Sequence, residues 1–200
     1  ERVTLTWALW LHQAGWQPLV LTRKPASWDF YPVPPEVERA VEPVDASWMR
    51  RLGPLAFPFQ VLRLQRWLDD QNVGLAIGVT SLPAIKLLFA ARLLGVPCVV
   101  SERNYPPLKR IGRIWSGLRR ISYPWAALHL VQTRAVGTWM AVHLGAHRQL
   151  LLPNPVQWPL ARFHPSLEPQ HWLAQRGCQA FDPVVLAVGT KAVQKGFDRL

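Results

Sequence analysis

Acidic side chains are scarce in this chain: 12 Asp and Glu stand against 23 Lys and Arg, a formal charge of +11 over 200 residues. That imbalance turns the surface toward anions, whether nucleic acid, anionic lipid or phosphorylated ligands. Cysteine is scarcer still. Cys98 and Cys178 are too few for a disulfide framework or a four-cysteine zinc site. Cys98 lies in "VPCVVS", the pattern of a buried strand, where cysteine acts as a small hydrophobe; a reducing, cytoplasmic setting fits. Long apolar runs are missing as well. The longest, "SLPAIKLLFAARLLGVPCVV", is interrupted by Lys86, Arg92 and the Gly95-Val96-Pro97 turn, which argues against a membrane-spanning helix. The 6 histidines carry no metal signature: His143 and His147 are four apart, but Gly145 ends the helix between them. No metal site is expected. Neither a Walker loop, a G-x-G-x-x-G fingerprint nor a G-x-S-x-G elbow occurs.

What is present is apolar and aromatic. Half of the chain is hydrophobic, with 11 tryptophans and 19 prolines, so a sizeable core is expected and general disorder is not. Helical and strand patterns alternate. Glu1 to Ala14 reads as a helix stopped by Gly15, and the first residues are already helical, so a further piece is expected upstream. "PLVLT", "VGLAIGV", "PCVVSE", "ALHLVQT", "RQLLLPN" and "VVLAV" read as strands, with an irregular one near Val37 to Val41. Helices are expected within Leu55 to Asp70, from Pro83 to Leu94, from Leu108 to Tyr123 and from Arg134 to Leu144, with partial helix around His171 to Gln175. Strands apolar throughout, alternating with helices, predict an α/β fold: a Rossmann-like parallel sheet flanked by helices. The Pro-, Gln- and His-rich stretch after Pro155 marks the best domain boundary.

Ligands of such sheets bind beyond the carboxyl ends of the strands. Those ends carry Gly78-Val79-Thr80-Ser81; Ser101-Glu102-Arg103-Asn104; Gln132-Thr133-Arg134; Asn154; and Gly189-Thr190-Lys191. Glu102, Arg103 and Asn104 together offer an acceptor, a planar double donor and an amide, a set that suits a hydroxyl-rich substrate. A surface ion pair before a proline turn has the same pattern. In "VGTKAVQKGFD", Gly189 permits a close turn, Lys191 and Lys195 bring positive charge, and Gly196 opens a helix whose amides favour an anion. By spacing alone this is equally a basic loop ahead of a surface helix. "LKRIGRIWSGLRRISYPW" places Ile111, Ile114, Trp115, Leu118 and Ile121 on one helical face, which Lys109, Arg110, Arg113 and Arg120 mostly avoid. Such a helix docks its apolar face on a sheet, lies on an anionic membrane, or does both. Nucleic acid is the rival partner on charge and aromatics. Against it, most tryptophans fall in helices and loops, and no nucleic-acid module's spacing occurs.

The segments "ERVTLTWALWLHQAGWQPLVLT", "DFYPVPP", "VVSERNYPP", "VQTRAV", "LLPNPV" and "LAVGTKAVQKGFDRL" follow one another as in glycosyltransferase family 4, which the chain resembles over nearly its whole length. The bacterial exopolysaccharide (amylovoran-type) subgroup looks most similar. The resemblance implies the amino-terminal half of a GT-B fold and the start of a second Rossmann-like domain. It divides the chain at 1–153 (acceptor side, without its first strand), 154–182 (linker) and 183–200 (start of the donor domain). It implies a retaining, metal-independent transferase with no cofactor. Its partners would be a nucleotide-diphosphate sugar as donor and a glycan or lipid-linked acceptor in cell-surface polysaccharide synthesis. The setting would be cytoplasmic, peripheral on the inner face of the membrane through the Lys109–Arg120 helix.

On this basis Gly189, Lys191 and Lys195 are expected at the donor diphosphate, and Glu1, Gly78, Thr80, Glu102, Arg103, Asn104 and Thr133 on the acceptor side. Asn154 is expected between the domains. Thr190 departs from the family's arginine and cannot supply a positive fork. The family's paired glutamates would fall beyond Leu200, so the chain alone is expected to transfer little or nothing, and no catalytic residue is assigned. The alternative is a non-catalytic basic α/β protein that binds a membrane surface or nucleic acid.

Overall fold

The computed structural model describes residues 2–43, 53–109, 111–155, 168–179 and 182–184. The chain divides into two compact units, Glu1–Val156 and Gln157–Leu200. The first is α/β with parallel strands throughout its described part. Strands β1 (Leu19–Thr22) and β2 (Glu38–Val41) pair with each other, and β3 (Ala76–Val79), β4 (Cys98–Glu102), β5 (Leu128–Val131) and β6 (Gln149–Leu151) form a four-stranded sheet in that order. The register runs Ala76↔Cys98, Val99↔Leu128 and His129↔Gln149. Helices α1 (Arg2–Gln13), α2 (Phe57–Asp70), α3 (Ser81–Leu94), α4 (Arg113–Ser122) and α5 (Arg134–Leu144) join and cover the strands. In the second unit, α6 (Pro169–Ala174) is followed by Arg176, which folds back over the Trp172 ring at 3.6 Å. Residues 185–188 of "VVLAV", the strand expected to open a second domain, lie outside the described residues.

Helix α3 is the hub. Ala84, Ile85, Leu88 and Ala91 are almost wholly buried in the sheet core with Val100, Tyr123 and Met140. Ala90 packs instead with Val61, Leu64 and Leu68 of α2. A helix buried on so many sides explains the continuous apolar run that sequence shows there. Gly95 ends it at φ 72°, a left-handed conformation that glycine adopts without a Cβ clash. Gly78 in β3 lets the helix come this close: a Cβ added there would sit 2.7 Å from the Cα of Ala84. Gly78→Ala should therefore destabilise by about 1–3 kcal/mol through overpacking, read as a Tm lower by several degrees in thermal unfolding.

Helix α4 is shorter than the sequence pattern predicts. Gly112, at φ 80° and ψ 159°, precedes its first turn, and Lys109 sits in extended backbone outside it. The face that packs also differs. Trp115 and Leu118 reach the core as expected, but Ile114 and Ile121 are more than half exposed, while Arg119 and Ser122 are buried. Positions 115, 118, 119 and 122 follow the i, i+3, i+4, i+7 rule. Ile111, ahead of the helix, packs on the core as expected, whereas Ile114 and Ile121 lie about a quarter to a third of a turn away from the face used.

Candidate functional site

The carboxyl ends of β3 to β6 gather most of the residues expected on the acceptor side. Beyond β4, Arg103 donates through Nη2 to Oδ1 of Asn154, just after β6, and Gln132, just after β5, donates to the same oxygen. The Arg103 guanidinium carbon lies 5.1 Å from the ring centroid of Trp7 in α1, a cation–π distance. Partial burial lowers the pKa of Arg103 from its usual value without removing its charge. Asn104 follows in the same turn, half-buried. The result is a half-open cluster of planar amides and a guanidinium seated over the buried indole of Trp7. Hydroxyl groups need such donors and acceptors. Asn154, expected between domains, is here a partner of Arg103.

Other expected residues serve the scaffold. Thr133 caps α5, its Oγ1 accepting from the Val136 N–H at 3.3 Å. Gly78 is a packing glycine. Glu102 is turned inward and is 1% exposed, so the strand-end carboxylate expected to face a substrate is spent elsewhere. Ser81 Oγ donates to both of its oxygens at 3.1 and 2.9 Å, and the Tyr123 hydroxyl donates to Oε2 at 2.9 Å. Burial first, then the Glu102 charge and hydrogen bond, hold the Tyr123 hydroxyl well above its ordinary pKa. The buried Arg119 charge acts in the opposite direction on Tyr123, and its guanidinium stacks over Trp139 at 5.7 Å. Together these residues make a locked polar plug under the site. It ties the start of α3 to β4 and to the end of α4.

Thr80, between β3 and α3, is held at φ 69° and ψ 164°, a conformation rare for a β-branched residue. Its N–H reaches Ser101 O at 2.9 Å and its carbonyl accepts from Ala84 N at 3.1 Å. These bonds hold strain at the strand end that borders the cluster. Trp7, Arg119 and Tyr123 are the contributors that sequence reasoning did not place at the site; Ser81 and Gln132 stand among the strand-end residues but carry no assigned role there. Arg119 could have been found from its i+4 spacing to Trp115; Tyr123 and Trp7 carry no local signal. Glu1, Gly189, Thr190, Lys191 and Lys195 lie outside the described residues. Among the described residues no group of three or more His, Cys, Asp or Glu converges, and no helix is long and apolar enough to cross a membrane.

A parallel α/β sheet with a polar and aromatic cluster at its strand ends defines a Rossmann-like ligand-binding domain. The family model described as Glycosyltransferase Family 4 matches residues 1–157, and the chain belongs to that family. Membership supports a glycosyltransferase-type function, with a sugar donor and an acceptor in general. No curated protein matches the chain.

Proposed function

We propose that this chain is the acceptor-side part of a retaining, metal-independent transferase of the exopolysaccharide (amylovoran-type) subgroup. It would move a sugar from a nucleotide diphosphate to a glycan or lipid-linked acceptor. The observation that carries the reading is the Arg103–Asn154–Gln132 cluster beside Trp7. It offers charged and neutral hydrogen-bond groups where ligands of open parallel sheets sit. Arg103, Asn104 and Asn154 would bind acceptor hydroxyls, with Thr80 at the border, while Glu102 holds the floor in place. On the donor side, Gly189 would let the chain pass close to the diphosphate, and Lys195, with Lys191 standing in for the arginine that Thr190 replaces, would stabilise its developing charge. We assign residues 1–153 to the acceptor domain, 154–182 to the linker and 183–200 to the start of the donor domain, with the family's paired glutamates beyond Leu200.

The test is turnover of nucleotide-diphosphate sugars by a chain that includes the donor domain. Arg103→Ala should raise the acceptor KM or lower kcat/KM by roughly 10- to 100-fold, as loss of a charge-assisted hydrogen bond of about 1.5–3 kcal/mol predicts. Arg103→Lys should recover little, since an ammonium lacks the planar fork. Unchanged kinetics in Arg103→Ala would overturn the acceptor assignment. The 200-residue chain alone should show no transfer.

A cytoplasmic position on the inner membrane face is part of the proposal. Ile114 and Ile121 are 58% and 57% exposed on α4 and Leu108 is 83% exposed, beside the exposed Arg113 and Arg120. Apolar residues flanked by arginines suit an anionic lipid surface. Phosphatidylglycerol vesicles should bind the chain in a salt-sensitive way, and Ile114→Asp with Ile121→Asp should weaken binding several-fold. Duplex DNA binding of equal strength would favour the nucleic-acid alternative.

A further inference from the structure

Past β6 the chain is held by very little. The Leu152 N–H donates to Val131 O at 2.8 Å, and residues 153–155 then make no backbone hydrogen bond to any described residue. Pro153 and Pro155 have no N–H to give. They also fix their own φ and bias the residues before them, Leu152 and Asn154, toward extended backbone. The stretch is therefore a short stiff rod. Its anchor is the side chain at its middle. Asn154 Oδ1 accepts from Arg103 Nη2, beyond β4, and from Gln132 Nε2, beyond β5. The first unit ends at Val156, so this one oxygen steers the polypeptide as it leaves that unit.

One of the two anchoring donors is also the charged group of the candidate site. A guanidinium presents two planar forks, Nε with Nη2 and Nη1 with Nη2. Nη2 belongs to both, and it is the nitrogen that Asn154 engages. A carboxylate or phosphate fills a fork with two parallel bonds, where a neutral amide oxygen takes one. Asn154 is exposed and Arg103 half-buried, so water and ligand both reach the bond and can replace it. Trp7, with its ring 5.1 Å from the guanidinium carbon, holds the group in place while its partner at Nη2 changes. Among the described residues the ion pairs are Arg39–Asp29 and Lys86–Glu42, and Glu102 is turned inward onto Ser81 and Tyr123. Arg103 thus keeps its charge for a ligand.

We propose that Arg103 latches the polypeptide leaving the first unit: it pins Asn154 while the site is empty and releases it when a ligand takes a fork that includes Nη2. Gln132 then holds Asn154 by one neutral hydrogen bond, and the Asn154 amide becomes available to the bound ligand. The coupling runs both ways: a ligand that loosens Asn154 binds more tightly where the Asn154 side chain is missing. The identity of the natural ligand rests on the acceptor reading above; the latch itself requires only a group that fills the fork.

Inorganic phosphate, which fills a guanidinium fork, is the probe. The 200-residue chain, Arg103→Ala and Asn154→Ala are titrated with it at constant ionic strength. Binding is read at the Arg103 Nε–H resonance and linker order from nitrogen-15 relaxation at the Asn154 amide, with the Val131 amide in β5 as the internal standard of folding. In the unliganded parent Asn154 should be as rigid as Val131, with an order parameter of about 0.85; it should fall below about 0.6 at saturating phosphate, and in Arg103→Ala without phosphate, while Val131 stays unchanged. Asn154→Ala should bind phosphate roughly 5-fold or more tightly than the parent. Equal order at Asn154 in the parent and in Arg103→Ala would overturn the proposal. So would an Arg103 resonance that phosphate leaves unmoved, an Asn154 amide still rigid once that resonance has saturated, or phosphate bound no more tightly by Asn154→Ala. The acceptor assignment is decided separately, by the acceptor kinetics of Arg103→Ala.

Discussion

Replacing Glu102 by alanine should cost about 2–6 kcal/mol, through two buried donors left without an acceptor. The reason is what it leaves behind. The Ser81 and Tyr123 hydroxyls both spend their protons on this carboxylate, and both residues are fully buried. Each orphaned donor carries a desolvation penalty of about 1–3 kcal/mol. At roughly 2–4 °C per kcal/mol for a chain of this size, Tm should fall by about 10 °C, and urea unfolding should show the same loss. Glu102→Gln keeps the shape and an acceptor oxygen and should cost less, about 1–3 kcal/mol. A side chain that merely met a substrate would behave in the opposite way, changing kinetics and leaving Tm alone. A loss below about 1 kcal/mol in Glu102→Ala would refute the plug.

Acid should weaken the fold through His129. Its ring is 1% exposed, against Tyr123, and burial lowers its pKa to about 4 from 6.5. The sign follows from proton counts. Between pH 6.5 and 4 the unfolded chain holds a proton on this ring and the native chain does not, so stability falls as pH drops through that window and levels off below it. The window is about 2.5 units wide, worth at most roughly 3 kcal/mol at 1.36 kcal/mol per unit. The measurement is the unfolding free energy by urea at pH 7.5 and pH 4, for the parent and for His129→Gln. The parent should lose about 2–3 kcal/mol more than the variant across that interval; parallel pH profiles would remove His129 from the account.

Much of this architecture can be read from residue pattern, and the failures share a cause. Helix α5 begins and ends where Thr133 and Gly145 say it should, because a cap and a left-handed stop are local signals. The central strands β3, β4 and β5 were legible because each is buried or half-buried along its whole length and the runs are mostly apolar. Helix α4 was misjudged in length and in face. Gly112 interrupts a pattern that otherwise looks periodic, and a buried arginine breaks the assumption that charge points outward. The site shows the same division. Arg103, Asn104 and Asn154 stand out as polar residues at strand ends, and the structure brings Arg103 and Asn154 into contact. Glu102 looked equivalent to Arg103, yet adjacent residues of a strand point to opposite sides. One of the two had to leave the surface, and sequence does not say which. Trp7 enters the cluster from α1, nearly a hundred residues away, by a contact that no local pattern encodes.

Cys98 supplies an internal clock. It is 3% exposed in β4, and burial raises its thiol pKa to about 12, so the reactive thiolate is nearly absent while the sheet is intact. Cys178 is partly exposed in the second unit. A thiol-directed dye at neutral pH should therefore mark one position of the native chain rapidly. The second modification then waits for β4 to open, and its rate times the unfolding of the central sheet with no residue changed.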